Sequence, residues 1–429
     1  GGVRVDNSSS FGAANQNQVY PKVSGSWVLS DNWKGTSLAD FLSTAKIRSA
    51  WGKAGNVTGV GEYDRYNSVA LGSYIGYPYA KAPTPYANSN VKPETKTEIE
   101  VGADFAFFKN RFGLSINLYK QKVTDLLLTK AISPTVGGTQ VLSNISADST
   151  YLQNQGIELM LNASIIKQKD FKWDIGVIFN ANKNKVYGID GTIIALSTGG
   201  NLNSAISGYA YGVFYGTYYA RDASGNLIKN ANGLPQSARG VQNSPLSVAE
   251  KLDAGGQPTG TELRKVIGDP NPSWTGSITS SLSYKKFTFS FLIDAVYGAQ
   301  INNWNRITSN NVGWGPLANQ ELQGLIPRGS VVAIAGGLLG GSRIYEEHIE
   351  DATFYKLREV ALSYNFGKTL GFADNATLSL IGRNLFSIGN YQGFDPETSS
   401  SGQSDRIRGN DFGAVPIPRQ FMLKLNVRF

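Results

Sequence analysis

The chain predicts an all-β fold and, within that class, a transmembrane antiparallel up-and-down β-barrel. Three observations carry this expectation. Alternating apolar and polar residues recur along the 429-residue sequence, over stretches near the roughly 9–11 residues with which a tilted strand crosses a bilayer. The connections between these stretches alternate short and long, as they do in an outer-membrane barrel. Aromatic residues gather near both ends of the strands, where a lipid-facing wall meets water.

From the N-terminus, G-G-V-R-V-D reads as the end of a strand already under way, as in a mature segment or part of a longer polypeptide. Residues 19–29 and 45–51 alternate weakly. Residues 97–107 place Thr97, Ile99, Val101, Ala103, Phe105 and Phe107 on one face, and Glu98, Glu100, Gly102 and Asp104 on the other. Residues 112–118, 157–165 and 171–179 follow the same scheme, the last with Phe171, Trp173, Ile175, Val177 and Phe179 opposite Lys172, Asp174 and Asn180. Residues 211–220 and 276–284 are weaker candidates. Residues 287–297, 360–366 and 376–380 repeat the alternation. In the last eleven residues Phe421, Leu423, Leu425, Val427 and Phe429 oppose Met422, Lys424, Asn426 and Arg428. Between Ala220 and Pro272 the sequence is turn-rich, and an up-and-down parity requires one further strand nearby.

Short connections fall at 108–110, 167–170, 285–286 and 367–374, and long ones at 56–93, 129–150, 187–208, 300–351 and 389–418. With tight turns on the periplasmic side, this alternation places the C-terminus in the periplasm. Phe107, Phe108, Phe112, Phe171, Trp173, Tyr284, Phe287, Phe366 and Phe429 lie near the short-turn ends. Tyr119, Tyr187, Tyr297 and Phe386 lie near the long-loop ends.

Composition narrows the chemistry. The chain has no Cys and one His, which excludes a disulfide framework and thiolate metal sites and leaves little for His-based catalysis. The net charge of +8 is spread without a basic block, so no nucleic-acid partner is expected. No apolar run is long enough for a transmembrane helix, the nearest being the Gly-interrupted stretch 331–340.

Several local motifs fail on their spacing. Gly367-Lys368-Thr369 lacks the upstream Gly of a phosphate loop and lies in a short turn. His348 in E-E-H-I-E-D has no second ligand cluster and reads as a charged loop before a strand. Asp222, Ser224 and Asn226 resemble a calcium loop but read as a turn, because the Gly is misplaced and no distal Glu follows. No catalytic residue, metal or cofactor is expected. The loop carrying Tyr63, Tyr66, Tyr74, Tyr77, Tyr79 and Tyr86 is the candidate contact for a solute or protein partner, since Tyr offers a flat apolar face with a polar tip. Trp304 and Trp314 are similar candidates, set against packing within the loops.

A set of motifs in order resembles the SusC/RagA family of TonB-dependent outer-membrane transporters of Bacteroidota. They are A-K-I-R-S-A-W-G-K-A-G-N at 45–56, K-P-E-T-K-T-E-I-E-V-G-A-D-F-A-F-F-K-N-R at 92–111 and I-G-D-P-N-P-S-W-T-G-S-I at 267–278. S-Y-K-K-F-T-F-S-F at 283–291, F-Y-K-L-R-E-V-A-L-S-Y-N-F at 354–366, G-R-N-L-F at 382–386 and Y-Q-G-F-D-P-E at 391–397 complete the series. The resemblance implies a barrel of about 22 strands around a plug. Residues 1–429, with about 13 or 14 strands by their pattern, would be its C-terminal portion, without plug domain or N-terminal extension. It also implies import of a bulky nutrient, an oligosaccharide or peptide, with a SusD-like surface lipoprotein as lid and TonB acting through the missing N-terminal part. Phe421, Leu423, Leu425, Val427 and Phe429 resemble the C-terminal signal read by the barrel assembly machinery. The lipid bilayer and lipopolysaccharide would surround the wall.

Three other readings stay open at this stage. The chain could close alone into a passive pore, be a barrel fragment or client of the assembly machinery, or be a soluble all-β carbohydrate-binding or hydrolytic domain using Glu98, Glu100 and Asp104.

Overall fold

A computed structural model of the chain describes residues 1–56, 61–81, 83, 85–133, 135, 140–145, 149–189, 192–196, 202–244, 246–337, 342–370, 373–402, 404 and 407–429. Its frame is one antiparallel sheet of twelve strands, each bonded to its neighbours in chain order. We number them β1 (Gly2–Asn7), β2 (Asn17–Val28), β3 (Leu42–Asn56), β4 (Glu94–Phe107), β5 (Phe112–Thr124), β6 (Tyr151–Lys167), β7 (Phe171–Tyr187), β8 (Trp274–Tyr284), β9 (Phe287–Tyr297), β10 (Phe354–Asn365), β11 (Asn375–Gly389) and β12 (Gln420–Arg428). The strand order ends at β1 and β12, so the sheet is open with two free edges.

Register carries the alternation across the wall. Ile99 lies opposite Trp51 and Val101 opposite Leu118, while Glu98 lies opposite Gln121 and Asp104 opposite Ser115. One face is therefore mainly apolar over the middle of the wall and the other mainly polar. On the apolar face Phe421 is 76% and Leu423 73% exposed. A large exposed apolar surface in water costs about 25 cal/mol per Å2, whereas in lipid it costs nothing. Most of the large fully buried side chains lie instead in the connections, among them Phe214, Ile206, Leu263, Ile301, Ile307 and His348. Surface and core thus exchange their usual places, as a membrane wall topped by folded loops requires.

The aromatic girdles are present on the apolar face. At the short-turn end Phe41, Phe107, Phe108 and Phe112 make edge contacts, and Phe287 meets Tyr364 at 4.8 Å. At the loop end Tyr151 stacks on Tyr187 at 4.7 Å and Trp274 on Tyr297 at 5.5 Å. Tyr119 does not belong to the girdle. It faces the polar side, where its hydroxyl donates to Asn182 Oδ1.

Twelve wall strands replace the expected 13 or 14. The candidate strand at 211–220 is not in the wall. Its Val213–Thr217 core pairs with Asn203–Ile206 and Arg264–Gly268 in a separate four-stranded sheet, with all five residues buried. Nor does a wall strand lie between Ala220 and Pro272, because β7 pairs directly with β8. Parity holds because residues 188–273 form one excursion.

That excursion contains three copies of one hairpin turn. Asp222, Asn230 and Asp253 each accept through Oδ1 from the amides two and four residues on. Gly225, Gly233 and Gly256 take the positive φ that each turn demands. The calcium-like spacing at Asp222 is therefore the first copy of a turn. Gly367–Leu370 is a 3-10 turn between β10 and β11, not the start of a helix. The stretch 331–340 begins inside a short helix, Ser330–Ala335, and its last three residues lie outside the described residues.

Candidate functional site

The polar face of the wall is the candidate solute path, and the folded loops at its long-loop end form the mouth. On the wall, β4 to β7 carry a hydrogen-bonded rung. Tyr119 Oη and Asn182 Nδ2 donate to Asn182 Oδ1 and Asn154 Oδ1 respectively, Asn154 Nδ2 donates to Gln121 Oε1, and Gln121 Nε2 donates to Glu98 Oε2, all within 3.0–3.2 Å. Nearer the turns, Arg48 pairs with Glu100 at 2.7 Å and Asp104 at 3.3 Å, while Ser115 Oγ donates to Asp104. Gly102 makes room for this guanidinium: a Cβ there would lie 2.7 Å from Arg48 Cζ. Glu98, Glu100 and Asp104 line the path as ion pairs and hydrogen-bond partners, not as a free carboxylate pair for hydrolysis.

At the mouth, a β-bulge places the key cation. Between β9 and β10 the register skips one residue, so Leu292 pairs with Glu359 and Ile293 with Leu357. Arg358 is the extra residue, and bulges re-aim side chains in this way. Its Nε reaches Asp294 at 2.6 Å and its Nη atoms reach Glu397 at 2.7 Å. Beside it the buried Lys356 Nζ lies 2.5 Å from Asp395 and 2.8 Å from Glu397. The 390–419 connection is thereby latched onto the polar face, over a cavity of about 240 Å3 bounded by Lys356, Ser387, Tyr391 and Asp395. Burial raises the Glu397 pKa, but its bonds from Arg358 and Lys356 outweigh that and hold it below the ordinary carboxylate value.

A second polar knot joins three loops. Asn410 bonds to both Asn302 and Asn203, Asp411 accepts from Asn305 and from the Tyr391 hydroxyl, and Arg306 pairs with Glu347 and Glu350 at 3.1 Å. Burial pushes the Tyr391 phenol up, and its bond to Asp411 adds to the shift. His348 ends a 3-10 turn, Tyr345–His348, that carries Glu346 and Glu347 and precedes a short strand, Ile349–Asp351, as expected of a charged loop before a strand. It is fully buried, and burial, reinforced by Arg306 and Arg343, lowers its pKa to about 3.

The candidate aromatic residues divide into two groups. Ala70–Tyr74 and Tyr77–Lys81 form a hairpin closed by Ile75 and Gly76, both at positive φ. It presents Tyr74, Tyr77 (77% exposed) and Tyr79 to solvent, and Tyr63 and Tyr66 nearby are also exposed. Tyr86 is half-buried, and its backbone is bonded to Gln140 and Leu142. Trp314 is 87% exposed. Trp304, by contrast, is packed: it stacks on Tyr345, meets the edge of Phe412 and lies under Arg343. Phe421, Leu423 and Leu425 are exposed on the outward face of the edge strand β12, with Val427 half-exposed, and Phe429, just past the strand, is exposed as well. Among the described residues no group of His, Asp and Glu could hold a metal ion.

Comparisons with known proteins also lead to a β-barrel. The sequence pattern of the family described as "TonB dependent receptor-like, beta-barrel" matches residues 1–385. The chain belongs to this family. TonB-dependent receptor P3 of Formosa agariphila is 27% identical over all of this chain and 43% of its own length. TonB-dependent receptor SusC of Bacteroides thetaiotaomicron is 28% identical over all of this chain and 42% of its own length. The chain spans less than half of these relatives. In fold it superposes on the RagAB peptide importer in its "open-open" state with a TM-score of 0.77, covering all of this chain and 44% of that one at 20% identity. The resemblance expected from the motif series holds: the relatives include SusC, and the fold is that of the RagAB chain. These relatives are receptors and importers, not enzymes, and the family's barrels belong to the outer membrane.

Proposed function

We propose that the chain is part of the wall of an outer-membrane transporter that imports a bulky nutrient, an oligosaccharide or a peptide, with energy from TonB. The observation that carries this is the pairing of an apolar outward face with a polar inner face whose mouth is roofed by latched loops. The exposed tyrosine hairpin and Trp314 are the proposed contacts for the solute or for a SusD-like lipoprotein lid.

The open sheet favours this reading over a passive pore made by the chain alone. Unpaired edge groups are expensive in lipid, and β1 and β12 do not pair with each other in the strand order. Further strands, a plug and a TonB-contacting segment would come from outside residues 1–429, with the C-terminus in the periplasm. The outward side of β12, with Phe421, Leu423, Leu425, Val427 and Phe429, would be read by the barrel assembly machinery before the wall closes.

The test is uptake of labelled oligosaccharides and peptides by cells with and without the gene, and with and without TonB. Loss of uptake of one class in both deletions is the expected result. Unaltered uptake of every solute tested would remove the transport reading. Uptake that persists without TonB would favour a passive pore.

A further inference from the structure

The outward face carries a feature that solute transport does not use. Toward the loop end of β3, β5 and β7, apolar outward residues give way to Lys53, Lys120, Lys122, Lys183 and Lys185. Register sets them in two adjacent rows. Lys120 lies opposite Ile99 and Gln155, and Gln155 lies opposite Lys183. One rung nearer the loops, Lys53, Thr97, Lys122, Gln153 and Lys185 follow one another across β3 to β7.

Their neighbours on that face are neutral. Tyr151 and Tyr187 stack at the loop-side end, with Lys122 Nζ over the Tyr151 ring at 4.1 Å and Lys185 Nζ 5.4 Å from that of Tyr187. The lysines that make ion pairs among the described residues are Lys34, Lys92, Lys96, Lys109, Lys356 and Lys368. None of the five belongs to that set. Lys120 and Lys122 on β5, and Lys183 and Lys185 on β7, lie two residues apart on one face, about 7 Å along the strand, and like charges at that distance repel, so the band gains from an external anion. On the membrane side of Lys120 and Lys183 a shallow depression of about 530 Å3 is lined by Leu118, Ile157 and Ala181 together with Gln155 and the two lysines.

We propose that this band binds a phosphorylated lipid of the outer leaflet. Lys120 and Lys183 flank Gln155, about 10 Å apart by strand spacing, and hold the phosphate between their ammonium groups. Lys53, Lys122 and Lys185 supply further positive field. The acyl chains lie over Leu118, Ile157 and Ala181. Charge complementarity selects a phosphate-bearing headgroup, and continuity with the apolar wall selects a lipid over a free anion. The proposal rests on the reading of the wall as an outer-membrane barrel.

The test uses the full-length protein in detergent, incubated with lipid A, with dephosphorylated lipid A or with inorganic phosphate, and read by native mass spectrometry. Lys120→Gln/Lys183→Gln is compared with Lys109→Gln at the opposite end of the wall. Each lysine near an anionic surface contributes about fivefold, so the double variant should hold lipid A about 25-fold more weakly. K109Q should match the parent. Equal retention by the double variant, or of dephosphorylated lipid A by the parent, would overturn the site. Inorganic phosphate that binds as tightly as lipid A would overturn the lipid assignment. Solute uptake by the same cells is a separate readout: if the parent retains lipid A yet imports nothing, transport falls and the lipid site stands.

Discussion

Asp395→Asn tests whether the bulge-placed ion pairs hold the 390–419 connection against the wall. Lys356 and Asp395 are both nearly buried and lie 2.5 Å apart. Removing one partner of a buried pair costs about 3–5 kcal/mol, because the other charge is left uncompensated. Here Lys356 keeps Glu397 at 2.8 Å, so the cost falls to about 2–3 kcal/mol. At about 1.4 kcal/mol per tenfold, opening of the segment should rise about 30- to 140-fold. Hydrogen exchange of the intact protein reads this at the amides of Gln392 and Ser400, which donate to Glu350 and to the Asn410 carbonyl, groups the substitution leaves intact. The same segment should respond to acid. The Glu397 carboxyl is held below its ordinary value of 4.5, so its contribution is present above about pH 4.5 and is lost as pH falls through its lowered pKa. Unchanged exchange in D395N at neutral pH would refute the latch and leave the segment held by its remaining packing. Lys356→Met/Asp395→Leu should restore much of the protection, since apolar replacements of buried pairs are often neutral.

Other outcomes follow from the same geometry. His348 stays neutral in the fold with a pKa of about 3, against 6.5 when unfolded. Its environment therefore costs stability as pH falls from 6.5 toward 3, by up to about 1.4 kcal/mol per unit, and His348→Phe should flatten the dependence of melting temperature on pH over that window. Gly188 has φ +75°, and a Cβ there would lie 2.2 Å from the Ser149 carbonyl oxygen. Gly188→Ala should cost about 2–5 kcal/mol from backbone strain and overpacking, read as a lower urea midpoint. Tyr74→Ala/Tyr77→Ala removes exposed rings, so stability should shift by less than about 0.5 kcal/mol. Solute uptake or co-purification of the lid should fall; if neither changes, the hairpin is not the contact.

The wall was legible because each of its strands meets two solvents. Thr97–Phe107 must be greasy on one face and wet on the other, and a period of two records that directly in the sequence. The loops obey different physics. Val213–Thr217 is buried on both faces, so its weak alternation says nothing about a membrane, and pattern alone points it to the wall. The turn-rich stretch did contain a signal. Asp222 and Gly225, Asn230 and Gly233, and Asp253 and Gly256 repeat one spacing, which spells three hairpins and not a hidden strand. Arg358 could not be placed from sequence, because a bulge depends on which neighbour the strand finds. Distance from the loop points Tyr119 to the girdle, but its parity matches Asn117 and Gln121 on the polar face. Trp304 and Trp314 look alike in sequence, and only tertiary packing separates the stacked ring from the free one.

The inner wall and the mouth divide their work by how their polar groups are satisfied. On β4 to β7 each amide of Gln121, Asn154 and Asn182 both donates and accepts along one rung. Arg48 is likewise neutralised by two carboxylates. A solute that engaged these groups would have to break bonds worth about 0.5–1.5 kcal/mol net each to form others of similar strength. Such a surface is wetted and stiff but grips little, which suits passage. Among the described residues, Tyr74 and Tyr77 of the 70–81 hairpin make no such bonds and are exposed, so on the proposed import reading their faces and hydroxyls are the groups left to engage a solute. If the chain imports a solute as proposed, selectivity belongs at the mouth and indifference along the wall, and an inner rung rebuilt with unpaired polar groups would slow the solute by holding it.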